Sequence, residues 1–289
     1  MINGFLVVDK DGGMTSHDVV AKARRALGTK RVGHAGTLDP MATGVLVLGV
    51  GAATKLLQYI VDGAKRYEAT IRLGVSTVTD DREGEVLATS DTSAVADDEI
   101  ARILGTFVGK IQQRPSSVSA IKVDGKRAYD LVRSGEKVEL PAREVSIEKI
   151  DILEIRRGEF LDIDIAVECG AGTYIRAIAR DLGEALQVGG HLTSLRRTLV
   201  SPFTETDAQK LGDDLRLLDT FQSIGKVLPT RILNDEELAE LSFGRVIGAN
   251  EGPGIYAAAT PQGKFAALIE NRESAGKTLA HPTLVAVKE

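Results

Sequence analysis

The chain has 289 residues, 43% of them hydrophobic and 27% charged, with a formal net charge of −5 and one cysteine, Cys169. This is the balance of a soluble globular protein with one large domain, or a large one and a small one, and a single cysteine excludes both a disulfide framework and a thiolate zinc site within the chain. No apolar run approaches membrane-spanning length and "MINGFLVVDK" does not read as a signal peptide, so a cytoplasmic protein is expected.

In chain order, "FLVVDK" (5–10) predicts a strand, and "TSHDVVAKARRALG" (15–28) a helix that Thr15 or Ser16 caps and Gly28 stops. "VLVLGV" (45–50) predicts a buried strand, "ATKLLQYIVDG" (53–63) a helix and "RYEATIRLG" (66–74) another strand. The polar "VSTVTDDREGE" reads as a loop, and "DDEIARILGTFVG" (97–109) as a helix. Residues 110–143 are basic, turn-rich and poor in apolar side chains, an excursion from the core. "EVSIEKIDILEIRRGEFLDIDIAVEC" predicts a long hairpin in which Leu161, Ile163, Ile165 and Val167 alternate with polar or small residues, leaving one face wet. "TYIRAIARDLGEALQ" (173–187) is an amphipathic helix, and the acidic stretch after Pro202 is expected to be helical. From Pro229 the chain changes to short strands between Gly/Pro turns, which predicts a small β-rich module over 229–289. The fold class is α+β, with a mixed, mainly antiparallel sheet flanked by helices.

The acidic excess is local. Residues 205–240 hold nine acids and four bases, so the remainder is neutral, and residues 19–31 and 109–137 are basic segments able to track a phosphate backbone. On charge alone, solvated helix faces account for them as well.

"VLVLGVGAATKLL" imitates the strand, Gly-x-Gly turn and helix of a dinucleotide site, but Thr54 stands where a third small residue is required. The four histidines, His17, His34, His191 and His281, are too scattered for a metal site. Cys169 reads as a small buried hydrophobe. There remains Asp39 in "RVGHAGTLDPMATG". Asp-Pro is a turn former, yet the glycines around it clear side chains from a loop that a large ligand can approach. "GAGTYIRAIARDLG" repeats the device with Tyr174 and, in the first turn of a helix, Arg176. An Arg176–Asp39 pair would keep the acid ionised in a closed pocket, as a nucleophile or electrostatic stabiliser rather than half of an acid–base dyad.

"GHAGTLDPMATGVLVL…ATK" resembles the signature segment of bacterial TruB-type tRNA pseudouridine-55 synthases. "FLVVDKDGGMTSHDVV", "KRYEATIRLG", "RPSSVSAIKVDGKRAYDLVRSG", "GTYIRAIARDLG" and "HLTSLRR" resemble further blocks in the family's order, from Phe5 to about Val200. The resemblance implies a pseudouridine-synthase-like catalytic domain over 1–228, with 110–143 as a mobile thumb, and a PUA-like RNA-binding module over 229–289. It implies that Asp39 is the catalytic aspartate, Tyr67 stacks on the target base, Arg176 pairs with the aspartate and Leu195 lines the uracil pocket, with Tyr174 beside them. His34 takes the place of the flipped nucleotide and Asp81 lies near the RNA. Lys10, Lys55, Lys122, Lys126 and Arg127 are assigned to RNA contacts. Val118 and Val78 depart from the frequent Tyr and Asp of the family.

The expected substrate is uridine 55 in the T-loop of tRNA, and the expected enzyme is a monomer needing no cofactor, metal, membrane or obligate protein partner. A flipped uridine costs roughly a few kcal/mol, and stacking on one aromatic ring returns about 1–3 kcal/mol. Whether Asp39 attacks ribose C1′ or base C6, or takes the C2′ proton, stays open at this level. The rival readings are a non-catalytic tRNA-binding or folding protein with the same fold, an RNA-guided synthase in a ribonucleoprotein, and a nucleotide-cofactor enzyme built on "GVGAATK".

Overall fold

The computed structural model describes residues 2–116, 122–123, 126–127, 140–212, 214–274 and 276–286, with backbone alone at 122–123, 126–127 and 274. β1 (Gly4–Lys10) is followed by α1 (Ser16–Ala26), β2 (Val32–Ala35) and β3 (Thr43–Val50). A 3-10 helix, Gly51–Leu56, leads into α2 (Leu57–Val61), β4 (Lys65–Leu73), the hairpin of β5 (Val75–Thr77) and β6 (Val86–Thr89), α3 (Asp97–Thr106) and β7 (Gly109–Gln113). β8 (Lys122–Val123) and β9 (Lys126–Arg127) pair with each other. Then come β10 (Arg143–Arg157), β11 (Leu161–Cys169), α4 (Ile175–Ala185), β12 (Gly190–Val200), β13 (Phe203–Thr204) and α5 (Thr220–Ile224). The chain ends with β14 (Thr230–Ile232), α6 (Asp235–Ser242), β15 (Ile247–Gly248), β16 (Ile255–Ala259), β17 (Phe265–Ser274) and β18 (Lys277–Val285).

The main sheet runs β1-β3-β12-β4-β11-β10-β7, with β2 added to β3 and β13 to β12. It is antiparallel except where β12 lies parallel to β3, at Arg196 opposite Thr43 and Arg197 opposite Gly44. One face carries α1, α3 and α4, whose Val19, Ile100, Ile103, Ile178 and Leu182 share a core with Tyr67, Ile71, Ile163 and Leu195. The hairpin β10–β11 follows its alternation: Leu161, Ile163, Ile165 and Val167 are buried, and the other face carries Arg72–Asp162 and Arg156–Asp164 ion pairs.

The opposite face is covered at the β1–β3 end. Val45, Val47, Leu56 and Ile60 pack there with Ala257 and Leu268 of the C-terminal sheet, whose order is β14-β16-β17-β18-β15. The intervening Ala258, Ala267 and Ile269 turn to a second core with Leu233 and Leu241. The β-rich pattern from residue 229 therefore forms a sheet buried on both faces, with α6 as an addition that the short-strand texture did not predict.

Three other expectations change. Among the described residues of 203–228, helix is confined to a 3-10 turn at Glu205–Asp207 and the five residues of α5. The segment runs as a strap along β1: the Gln209 N–H donates to the Val7 carbonyl and its own carbonyl accepts the Asp9 N–H, while Leu218 and Phe5 exchange backbone hydrogen bonds, all at 2.7–3.1 Å. A strap of this kind protects an otherwise open sheet edge, and pairing with β1 outweighs the helical tendency of its leucines. The helix expected over 53–63 is a 3-10 turn plus five α-helical residues. The Asn3 side chain accepts the Ala52 N–H at 2.7 Å and fills the start of that turn, where a phosphate would sit in a dinucleotide site. A Cβ at Gly51, with φ +63°, would lie 2.1 Å from the same Asn3 oxygen, so this glycine serves tight packing. Finally, the expected loop after Leu73 contains the β5–β6 hairpin.

Gly44 has φ +96°, and a Cβ there would lie 2.2 Å from the Arg197 carbonyl oxygen on the parallel strand. Gly44→Ala is expected to cost about 2–4 kcal/mol, measured as a lowered urea midpoint. An unchanged midpoint would show that the β3–β12 approach can relax.

Candidate active site

Asp39 lies in the loop between β2 and β3, and the structure makes it both a turn residue and an ion-pair partner. Its carbonyl accepts the Ala42 N–H at 3.1 Å, closing the Asp-Pro turn. Its carboxylate is held by two nitrogens along one edge of the Arg176 guanidinium: Nε to Oδ2 at 2.9 Å and Nη2 to Oδ1 at 3.1 Å. The remaining nitrogen, Nη1, donates to the Thr79 carbonyl at 2.9 Å and lies 3.4 Å from Asp81 Oδ2. The Arg176 side chain is 5% exposed and that of Asp39 33%, so the acid has one open side and a buried partner.

The loop backbone is held just as completely. Arg197 on β12 is 1% exposed, and its nitrogens donate to the carbonyls of Gly36 at 3.2 Å, Thr37 at 3.4 Å and Val45 at 2.8 Å. The Ser16 hydroxyl donates to the Leu38 carbonyl at 3.1 Å and accepts the Leu38 N–H at 2.9 Å. Ser16 is free to do so because Thr15, in a reciprocal box with Asp18, is the residue that caps α1. The Pro40 carbonyl accepts from the Gly13 N–H at 2.8 Å and from Lys10 Nζ at 3.2 Å. All five carbonyls from Gly36 to Pro40 thus have donors.

Tyr67 stands opposite Arg197 in the β4–β12 pairing and Leu195 opposite Ala69, and both face the core that contains Leu38 and Met41. Tyr67 is buried, which raises the pKa of its phenol, with the Arg197 guanidinium acting in the other direction. Tyr174 is the N-cap of α4, where its backbone exchanges two hydrogen bonds with the Gln113 amide. Asp81 is buried, accepts the Glu83 N–H at 3.0 Å and reaches Asp39 through Arg176. His34 lies on β2 just before the loop, its ring edge-on to His17 at 5.5 Å; burial, then the charges of His17 and Arg197, lower its pKa. Burial pushes the Cys169 thiol up to about 11, as suits an inert small hydrophobe.

The basic residues assigned to RNA fall in three places. Lys10, expected to face RNA, is instead 1% exposed, with Nζ donating to the carbonyls of Asp11, Met14 and Pro40. It is a strut beneath the Asp39 loop, because its ammonium has three hydrogens and finds three carbonyls. Lys55 lies away from the Asp39 loop, in a groove of ≈ 460 Å³ shared with Tyr59, Leu268 and Leu284. The side chains of Lys122, Lys126 and Arg127, and Val118 as a whole, lie outside the described residues. Ser16, which the sequence offered only as an alternative cap, and Arg197, which it did not single out, carry no local signal of this role: a serine after a threonine and a second arginine in "LRR" look ordinary until the loop is folded onto them.

Residues 24–175 match the TruB family pseudouridylate synthase N-terminal domain, 176–225 the tRNA pseudouridylate synthase B C-terminal domain, and 228–281 the tRNA pseudouridine synthase II C-terminal family. The chain belongs to the TruB family of pseudouridylate synthases. Proteins called tRNA pseudouridine synthase B from Arthrobacter sp. (strain FB24) and Corynebacterium aurimucosum are 54% and 53% identical to it. Those alignments span 92% and 96% of this chain and 89% and 94% of the relatives. Among solved structures, a Cbf5–Nop10–Gar1 complex contains a chain with 25% identity and a TM-score of 0.71, over 98% of this chain and 84% of that one. An H/ACA ribonucleoprotein bound to a substrate RNA containing 2′-deoxyuridine has a chain with the same fold, at 24% identity, a TM-score of 0.71 and the same coverage. Among the described residues no group of three or more potential metal ligands occurs, and no helix is long and apolar enough to cross a membrane.

Burial pushes Lys10 down to about 8, against the attraction of Asp39, Glu83 and Asp11. Loss of its proton leaves one of three carbonyls without a donor, so pseudouridylation by the wild type should fall as pH rises through about 8. Stability should move the other way. Between about 8 and 10.5 the unfolded chain holds the proton that the folded chain has released, so unfolding becomes harder with rising pH. A rate–pH profile and urea melts of wild type and Lys10→Met test both; a wild-type rate that stays level through this range would refute the strut.

Proposed function

We propose that this family member, a tRNA pseudouridine synthase, acts on uridine 55 of the T-loop, with Asp39 as the reacting carboxylate. The observation that carries this reading is the two-point grip of Arg176 on a partly open Asp39, over a loop in which each carbonyl from Gly36 to Pro40 is held. Such a site fixes a nucleophile or a charge at one point and leaves one direction of approach. Asp39 acts at ribose C1′: the N1–C1′ bond breaks, the uracil turns in the pocket, and a C5–C1′ bond forms. The C5 proton is released and N1 gains one, so the product is an isomer. Tyr67 and Leu195 bound the uracil, Arg176 and Tyr174 support the acid, and His34 fills the space that the flipped nucleotide leaves.

Residues 1–228 form the catalytic domain, 110–143 the thumb that closes on the T-arm, and 229–289 a PUA-like RNA-binding module. Lys55, Lys122, Lys126 and Arg127 line the RNA path, the buried Asp81 acts through Arg176 instead, and the enzyme works as a cytoplasmic monomer without a protein partner. The support for RNA contact is the distribution of charge, with acids concentrated in 205–240 and acid-free or acid-poor basic stretches at 19–31 and 109–137.

The test is tritium release from tRNA transcript labelled with [5-³H]uridine, using purified wild type and Asp39→Asn, with the product position mapped by carbodiimide primer extension. Release by wild type alone, one stop at position 55 and retained binding by the variant are expected. Modification elsewhere in the tRNA would overturn the site assignment, and equal release by both proteins would remove Asp39 from the chemistry. Separately, tRNA affinity should fall with salt on a log–log plot despite the acidic net charge. A flat plot would exclude phosphate contacts as the main source of binding.

A further inference from the structure

Gln113 ends β7, and it and the next residue, Arg114, are fastened to α4. The buried Gln113 side chain accepts the Tyr174 N–H at 2.8 Å and donates to the Tyr174 carbonyl at 3.0 Å. Farther along the helix, Arg180 Nη2 donates to the Arg114 carbonyl at 2.7 Å. The same guanidinium reaches Asp80 Oδ2 at 3.3 Å and Asp181 Oδ1 at 2.7 Å. The Arg180 and Asp80 side chains are 18% and 12% exposed, so theirs is not a solvent-screened surface pair.

Arg176 and Arg180 are four residues apart and stand one above the other on α4. They receive successive acids: Asp81 on Arg176 and Asp80 on Arg180. Asp80 has φ +58°, a left-handed conformation that a residue other than glycine keeps only when its surroundings hold it there. Its carbonyl accepts the Leu192 N–H at 3.0 Å, which fixes one side of the turn, and Arg180 fixes the other. A displacement of Arg114 would pull the Arg180 guanidinium. That would move Asp80, which shares a peptide with Asp81, and so disturb the fork on Asp39.

We propose that Arg180 is a positioning residue for the reaction, tying Arg114, just past the end of β7, and the turn at Asp80 to the chain Asp81–Arg176–Asp39, and so fixing the aim of the carboxylate. The inference rests on the reading of Asp39 as the reacting group.

The experiment compares full-length wild type, Arg180→Gln, Arg180→Lys, Asp80→Asn and the Arg180→Gln/Asp80→Asn double variant. Single-turnover rates at saturating tRNA, filter-binding affinities and melting temperatures are measured on each. Arg180→Gln should slow the chemical step by about tenfold or more, with the dissociation constant within about threefold and the melting temperature little changed. Arg180→Lys keeps the charge toward Asp80 but, as a single point donor, cannot also span to the Arg114 carbonyl, so it should recover only part of the rate. The double variant should be no slower than Arg180→Gln alone, since both changes cut one path.

An unchanged rate in Arg180→Gln, a rate loss matched by loss of binding or folding in both Arg180→Lys and Asp80→Asn, or fully additive losses would each overturn the coupling. A wild type that binds tRNA without releasing tritium would overturn the reading of Asp39, and this inference with it. A reactive wild type beside an unaffected Arg180→Gln would overturn the inference alone.

Discussion

A carboxylate held in one orientation needs a backbone that cannot drift, and here that requirement falls on five consecutive carbonyls. Gly36 through Pro40 draw their donors from β12, α1, the end of β1 and the turn itself. Two of those donors are buried cations, Arg197 and Lys10. Burying such charges is unfavourable unless each hydrogen is satisfied; Gly36 and Thr37 of the loop, with Val45, receive those of Arg197, and Pro40, with Asp11 and Met14, those of Lys10. Loop and cations therefore stabilise one another: without the loop each cation loses acceptors, and without Arg197 the Gly36 and Thr37 carbonyls lose their donors. The parallel pairing of β3 and β12 makes this possible, because it places the Arg197 backbone against Gly44 and sends its side chain beneath the loop.

The local periodicities were legible in the sequence. The alternation of 161–167, the apolar stripe of 175–186 and the cap at Thr15 each correspond to an observed element, because each depends only on neighbours along the chain. Glycines around Asp39 and Arg176 marked two segments that the fold brings together. What could not be read was long-range pairing. Residues 203–228 have leucines at spacings a helix could use, and only the open edge of β1 decides that they form a strap instead. Lys10 was assigned to RNA contacts, and no local feature reveals the three carbonyls that surround it. The roles of Ser16 and Arg197 were invisible for the same reason.

The Gly-x-Gly turn at 49–51 shows how one local shape serves two ends. A tight turn after a buried strand brings a short helix start close to the backbone, and in nucleotide folds the vacant N–H groups then meet a phosphate. Here the Asn3 oxygen already occupies the Ala52 N–H. The turn thus directs α2 onto the face where Leu56 and Ile60 meet Ala257 and Leu268, and helps join the main sheet to the C-terminal one.

The geometry at Arg176 also explains why a guanidinium, rather than an ammonium, stands there. Three of its nitrogens have separate duties: two on the oxygens of Asp39 and one shared between the Thr79 carbonyl and Asp81. A lysine supplies a point charge and could neutralise one acid, but it cannot fix the plane of a carboxylate while reaching a second loop. Fixing that plane determines where the remaining lone pairs of Asp39 point, and a third of its side chain stays exposed. Tyr67 and Leu195, from the two central strands beside the loop, define a wall whose position depends on sheet register and not on loop flexibility. The site thus combines a rigid wall, a rigid acid and one direction of entry, the arrangement that a base turned out of an RNA stack requires if it is to be cut, rotated and rejoined without leaving.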